Sequence, residues 1–521
     1  MNIMAKVVTV LVFLQAMVSQ LRAVDAQGSW QIIQPNAGIS CMHAAVTHFD
    51  TIIMLDRTNT GPTQIKLPGG QCRKQRLERV LKRDCWAHSV MMDPVNGAVR
   101  PLFVFTDTWC SSGQFFDNGV MVQTGGDFEG FRKIRTLAPC AADGNCDWVE
   151  LEELLAKGRW YSSNQLLQSG IRQIIVGGRN EPTYEFYPKR FAGEGAFPLA
   201  VLNGCCDNLY PFVYLLPNGD LWIFANQDSV TLNWNTGKVI RTYPKIPGNP
   251  RNYPSAGSAA MLPLSYTTGF GTAEILVCGG AATGASQSSD VSAPASKNCG
   301  RIVATDGNAF WAMEDMPFQR IMGDMLNMPN GEVIIINGAA NGFQGWGMAG
   351  NPVLNPVMYN PGAGDGNRFT VLAETVIPRM YHSTASLLSD GRVVVAGSNT
   401  HQFYTLTGDF PTEFRVEAYS PPYLAPADLK YNQVFTVTFN VATRVGGVTF
   451  YQNSAPFSTH SFSQGQRSLN LETTEPVQVG ADWSMEVTAV PNNNIAPPAY
   501  YMIFVVQNGI PSRGKWIKQN N

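Results

Sequence analysis

Short apolar runs, each closed by a glycine or a small polar turn, recur seven times along the chain: TIIMLD from Thr51, GVMVQTGG from Gly119, RQIIVGG from Arg172, GDLWIFAN from Gly219, AEILVCGG from Ala273, GEVIIING from Gly331 and GRVVVAG from Gly391. Brief β-branched runs bounded by Gly, Asn and Asp read as strands. After a longer first interval they return about every 47 to 60 residues, the period of kelch-type propeller blades of four strands each. In several units an Asn-Gly, Ser-Gly or Asp-Gly turn directly precedes the apolar run, a hairpin signal repeated at one place in the unit. A Greek-key sandwich would also supply many strands, but not that repetition. The pattern predicts an all-β chain with a seven-bladed kelch-type β-propeller over 27–415.

Past residue 415 the glycine-closed pattern stops. YSPPYLAPADLKYNQVFTVTFN opens with prolines and continues with alternation at Val434, Thr436 and Thr438, so 416–521 reads as a separate immunoglobulin-like β-sandwich whose last strand is AYYMIFVVQNG. At the other end, Lys6, the apolar run Val7 to Val18, and the small residues Val24 and Ala26 have the layout of a secretory signal over 1–26. The run is shorter than the roughly 20 residues a membrane span needs, and no later segment qualifies. A secreted mature chain without a membrane segment is expected.

Composition changes this picture little. With 49 Gly, 33 Pro and only 15% charged residues the chain suits strands and turns, and 37 basic against 39 acidic side chains make nucleic acid an improbable partner. All ten cysteines precede residue 300. In an oxidising compartment they point to disulfides, with Cys140–Cys146 and Cys278–Cys299 as candidate pairs. Cys85 near His88 resembles a metal pair, yet no repeat register supports it and a disulfide is the better reading. No C-x-x-C zinc spacing occurs.

The candidate chemistry comes from register. Nine residues before the turn glycines Gly119, Gly170, Gly219 and Gly391 stand Cys110, Tyr161, Tyr210 and His382, the last beside Tyr381. Met322 holds the same register, Met42 or His43 holds it less clearly, and Tyr253 lies nearby in a blade with a longer loop. Repeats related by rotation place one register at one radius and height, so a thiol, phenols and an imidazole would converge on the axis. That donor set suits copper. Aromatic residues ahead of propeller strands more often pack the core, and the shared register is what favours a metal site. Tyr381 and His382 can face one ion only where the backbone departs from a regular strand, as Pro378 allows.

On TWCSSG, RWYSSN, RMYHS and STHS, and on PFSTHSFSQGQRSLNLE and PPAYYMIFVVQNGIPS near the C-terminus, the chain resembles the radical copper oxidases, the galactose oxidase and glyoxal oxidase family, and most of all their plant glyoxal oxidase-like branch. The resemblance implies a thioether between Cys110 and Tyr161 and one copper ion held by Tyr161, Tyr381, His382 and His460. It also implies that His460 arrives on a loop of the C-terminal domain, that Tyr381 is the base, and that Tyr161 carries the radical. The implied activity is oxidation of small aldehydes of the glyoxal or methylglyoxal type, as hydrates, to carboxylic acids with reduction of dioxygen to hydrogen peroxide, by a monomer outside the cell, in the wall or apoplast.

One departure stands out. Where the galactose-oxidising branch has a tryptophan stacked over the thioether, VGGRNEPTYEF carries Arg179 and Asn180. Arg179 is either a substrate-binding group for a carbonyl or carboxylate or a surface turn residue, and Tyr210 either lines the substrate mouth or packs beneath it. Two other functions compete: a primary-alcohol oxidase for aromatic alcohols or sugars with the same cofactor, and a kelch-type extracellular binding protein without catalysis.

Overall fold

The computed structural model describes residues 27–204, 207–424, 447–479, 482–485 and 487–519. The segment 1–26 expected to be a signal, Cys205 and Cys206, and the alternating stretch around Val434, Thr436 and Thr438 lie outside them. The described chain is all-β: its one α-helical turn is Ala285–Ser288, beside short 3-10 turns.

Six antiparallel sheets have four strands each, and a seventh joins four strands from His43–Val46 to Val99–Leu102 with a hairpin from the C-terminal segment. Each sheet begins with a fully buried strand: His43–Val46, Ser112–Phe115, Ser163–Leu166, Phe212–Leu215, Ser258–Met261, Asp324–Asn327 and Ser383–Leu387. Ser163–Leu166 lies between Ser112–Phe115 and Phe212–Leu215, while Ser383–Leu387 touches both Asp324–Asn327 and His43–Val46. The last sheet is therefore back beside the first. It is completed from the N-terminus, where Ser29–Gln34 pairs antiparallel with Val416–Ser420.

Sheets bury their faces against neighbours. Ile174, Val176 and Phe186 of one pack on Val213, Leu215 and Ile223 of the next, each such aliphatic side chain contributing about 1.5–3 kcal/mol when fully buried. The hairpin turns before the second strand need a positive φ, and the glycines that mark the repeat supply it, as at Gly119 (φ 79°) and Gly391 (φ 87°). Gly125, closing the second strand, is constrained differently: a Cβ there would run into the Arg159 carbonyl of the following sheet.

That arginine belongs to a brace that the apolar pattern does not reveal. Arg159, Arg320 and Arg379 are buried just ahead of the first strands of their sheets. Arg159 donates to the Gly177 carbonyl (2.7 Å) and pairs with Glu185 (2.8 Å); Arg379 donates to the Gly397 carbonyl (2.7 Å) and pairs with Glu417 (2.8 Å). Each guanidinium ties one sheet's inner end to the carbonyls that close its second strand.

The C-terminal segment adds a sheet built around Val448–Ser454 and Ala499–Gln507, paired antiparallel. From it the hairpin Phe457–Thr459 and Phe462–Gln464 enters the middle of the ring and pairs with His43–Ala45. Gln464 accepts from the Asn164 amide (3.0 Å), Gln466 from the Asn327 amide (2.6 Å), and Ser458 bonds Ser386 (3.2 Å). Its two-residue turn, His460-Ser461, has both φ positive (44° and 69°), the backbone that two-residue hairpins favour.

Disulfides join Cys140 to Cys146, Cys278 to Cys299 and Cys72 to Cys85, while Cys41 and Cys110 are free and buried. His88 beside Cys85 shares a hydrogen bond with Asp84 (2.7 Å), so its Nε2 is already engaged.

Asp324, buried at the start of its strand, accepts from Asn337 (2.8 Å) through one carboxylate oxygen and leaves the other without a partner. Burial raises its pKa to about 7. Between about pH 4 and 7 the folded chain thus holds a proton that the unfolded chain has released, so this group's contribution to stability falls as pH rises through that window. Asp324→Asn should raise the thermal unfolding midpoint at pH 8 by more than at pH 5; an equal shift at both would refute the assignment.

Candidate metal centre

Two residues before most of the buried first strands, the backbone turns left-handed. Cys110 (φ 53°), Tyr161 (66°), Tyr210 (49°), Ala256 (47°), Met322 (58°) and His382 (62°) share this conformation, which is uncommon and mildly strained for residues with a Cβ. The Tyr161 amide donates to the Cys110 carbonyl (2.9 Å), the Tyr210 amide to the Tyr161 carbonyl (2.9 Å), and the Met322 amide to the Ala256 carbonyl (2.8 Å). The kink redirects each side chain from the period-two alternation of a strand toward the middle of the ring. It also resolves the difficulty at Tyr381 and His382: with His382 left-handed, both rings point inward, 3.8 Å apart. In the fifth sheet the register falls on Ala256, and the nearby Tyr253 fills the space instead.

The hairpin tip brings His460 to the same place. The Cys110 thiol, His382 and His460 have donor atoms within 4.8 Å of one another, all buried. Cys110 Sγ lies 3.3 Å from His460 Nε2, and the two imidazole rings are 4.9 Å apart, near perpendicular at 76°. Thr459 Oγ1 meets His460 Nδ1 at 2.6 Å and so orients the ring, as outer partners of metal-bound imidazoles do. Cys110 packs against Tyr161 and Tyr210.

The phenols form a chain: Tyr161 bonds Tyr253 hydroxyl to hydroxyl at 3.1 Å, and Tyr253 bonds Tyr381 at 3.2 Å. Tyr253 also stacks on Tyr161, ring centres 4.4 Å apart at 30°, and Trp160 approaches the same ring at 4.8 Å. These rings surround Tyr161 where the stacking tryptophan was missing from the sequence. Arg179 does not contact the ring in its place; its guanidinium lies over Trp160 at 4.9 Å and lines the cavity in front of the site. Tyr210 is absent from that lining: its hydroxyl turns away to the Ser111 carbonyl (3.0 Å), behind His460. Of the two roles open to Tyr210, this position is the packing one.

Burial dominates the electrostatics. It lowers His382 and His460 well below the ordinary imidazole range and raises Tyr161, Tyr381 and Cys110 well above theirs, so the cluster consists of neutral groups. Both ring nitrogens of His382 are buried without any hydrogen-bond partner. An imidazole lone pair left unsatisfied in the interior costs about 1–3 kcal/mol, and a cation in the centre would satisfy it. Two imidazoles, a thiol and phenols at close range fit copper.

In front of Tyr161, Tyr253 and Tyr381 opens a cavity of about 550 Å³, walled by Trp109, Trp160, Phe343 and Trp346 among others. Of these walls the register reading found none, because Trp109 and Trp160 sit one position off it and Trp346 comes from a loop.

The glyoxal oxidase N-terminus family model matches residues 42–423, and the galactose oxidase-like early set domain matches 420–519. A protein named aldehyde oxidase GLOX from Vitis pseudoreticulata is 48% identical over 513 residues, covering 95% of this chain and 97% of the relative. Aldehyde oxidase GLOX1 from Arabidopsis thaliana is 39% identical over 524 residues, with 94% and 84% covered. Among solved structures, a fungal alcohol oxidase in complex with copper superposes with a TM-score of 0.68 over 95% of this chain and 100% of its own, at 16% identity, a likeness of fold.

Proposed function

This chain belongs to the glyoxal oxidase family, and on that premise we propose that it is a secreted copper-radical oxidase that converts small aldehydes, as their hydrates, to carboxylic acids while dioxygen becomes hydrogen peroxide. The observation that carries the reading is the buried His382, both ring nitrogens without partners, beside His460 and Cys110. Residues 27–415 form a seven-bladed kelch-type propeller that sets Cys110, Tyr161, Tyr381 and His382 at one height. Residues 416–521 form an immunoglobulin-like sandwich that contributes His460. The chain acts as a monomer.

Tyr161, Tyr381, His382 and His460 would hold the copper. Bound there, the metal supplies one electron's worth of oxidising capacity, and Tyr161 cross-linked to Cys110 supplies the second. Turning a hydrate RCH(OH)₂ into RCOOH releases two electrons and two protons, and dioxygen with those two electrons and protons gives hydrogen peroxide. The hydrate enters the cavity before Tyr161 and Tyr381. Tyr381, once a cation has taken the place of its own proton, would accept the hydroxyl proton on its oxygen, and the hydroxyl contacts from Tyr381 through Tyr253 to Tyr161 would keep that proton within hydrogen-bond reach of both tyrosines. Trp160 and Tyr253 shield the Tyr161 ring. His382 and His460, kept neutral by burial, offer lone pairs to the metal without proton competition.

The test is peptide mass spectrometry on secreted protein treated with copper and oxygen. The Cys110 and Tyr161 peptides should be joined with loss of two hydrogen atoms, one from the thiol and one from the ring carbon, both electrons passing to dioxygen. In Cys110→Ala the linkage should vanish and peroxide release with it. Separate peptides in the wild-type chain would instead favour a binding protein that kept the fold.

A further inference from the structure

A second cavity, of about 450 Å³, adjoins the first and shares Trp109, Trp160, Arg179 and Trp346 with it; its own walls include Arg57, Arg79 and Asp127. Its lining is rich in donors. Arg57 is only 2% exposed and uses one guanidinium nitrogen, Nη1, on Asn59 (3.1 Å), whereas Nε and Nη2 are buried without partners. The indole nitrogens of Trp109, Trp160 and Trp346 are likewise buried and unpartnered.

The carboxylates closest to Arg57 are already engaged. Asp107 accepts from the Thr58 amide (2.9 Å) and from Asn59 (2.9 Å), and Asp56 accepts from Tyr404 (2.6 Å). No ion pair reaches Arg57 among the described residues. The guanidinium is instead held by stacking, 5.1 Å over Trp109 and 4.7 Å over Trp346. Arg79 lies 3.3 Å over Phe128 and Arg179 4.9 Å over Trp160. Stacking fixes the plane of a guanidinium and leaves its N–H edge for a ligand. Three guanidiniums line the cavity against one lining carboxylate, Asp127, so its wall presents an excess of cationic donors.

Buried donors without acceptors are costly, and the ligand that relieves the cost must offer several acceptor atoms and a negative charge. A carboxylate does both, with two oxygens matched to the guanidinium fork. We propose that this cavity is an anion subsite of the oxidase, holding the carboxylate of a substrate that carries an aldehyde at one end and a carboxylate several bonds away at the other. Ring contacts of 5.1 Å from Arg57 to Trp109, 5.0 Å from Trp109 to Trp160 and 4.8 Å from Trp160 to Tyr161 connect the two ends. That spacing calls for a chain longer than a two-carbon dialdehyde. The substrate claim rests on the oxidase reading; the anion site does not.

The experiment pairs 6-oxohexanoate with hexanal, equal in length and differing in the carboxylate, on the copper-loaded full chain. Hydrogen bonds to charged groups contribute about 1.5–3 kcal/mol, so kcat/KM for 6-oxohexanoate should exceed that for hexanal by about 10- to 100-fold at low salt. The ratio should drop about tenfold in Arg79→Ala, at an exposed position where folding is not at stake, and further in Arg57→Gln. Binding is read separately by quenching of tryptophan fluorescence with adipate, and with inorganic phosphate as the competing anion. Hexanal oxidised as fast as 6-oxohexanoate, with no adipate binding, would overturn the subsite and leave the oxidase reading intact. Adipate binding weakened in Arg79→Ala, with neither aldehyde oxidised, would uphold the anion site and reject the oxidase reading. Saturable binding of phosphate but not adipate would refute the carboxylate assignment.

Discussion

Tyr381→Phe should lower kcat for aldehyde oxidation by about 10²- to 10⁴-fold, the contribution of a positioned general base, with a much smaller change in KM. The hydroxyl is the only atom removed. Phe keeps the ring against His382, 3.8 Å away, so the change isolates the oxygen that bonds Tyr253 at 3.2 Å and faces the cavity. Steady-state peroxide release over a substrate series gives kcat and KM, and copper content measured on the same sample separates loss of the base from loss of the metal. Full copper with an unchanged kcat would remove Tyr381 from the mechanism. Tyr253→Phe breaks two hydroxyl contacts but retains the stacking on Tyr161; as an outer partner it should cost about 10- to 100-fold.

The largest expected effect on stability lies at Arg159→Ala, which should destabilise the fold by about 3–5 kcal/mol. Arg159 is fully buried and pairs with Glu185, itself 2% exposed, so truncation strands a carboxylate in the interior. The Gly177 carbonyl loses its donor at the same time, and the Thr183 carbonyl keeps only the Gly177 amide. Denaturant unfolding monitored by fluorescence measures the loss. Adding Glu185→Gln should recover part of it, because the uncompensated charge disappears while the Gly177 carbonyl stays unpaired; no recovery would mean that the carbonyl contacts, rather than the ion pair, hold this sheet.

Much of the architecture can be read along the chain because its signals are local. A turn glycine with positive φ and a buried apolar run recur in most units, and both are fixed by backbone sterics and burial within a few residues of each other. Register then carries Cys110, Tyr161 and His382 to equivalent places, and the structure adds the reason their side chains converge: a shared left-handed kink two residues or fewer before the strand. That kink is not legible as a motif, since Cys, Tyr, Ala, Met and His all adopt it. The arginine brace leaves only a faint trace, Arg two positions ahead of the register in RWY and RIM.

What remained hidden depends on groups far apart in the chain. His460 reaches Cys110 across 350 residues, and only the packing of a hairpin among several sheets puts it there; from the residues alone, resemblance was the sole guide to it. Tyr253 falls off the register, yet it bridges Tyr161 and Tyr381 because a longer loop carries its hydroxyl between them. The same holds for Arg57, an unremarkable residue in LDRTNT whose unpaired guanidinium edge exists only where Trp109 and Trp346 close over it. Periodic sequence specifies what each unit repeats, whereas the centre of the ring is made where units meet, and its contents follow from the closure of the whole.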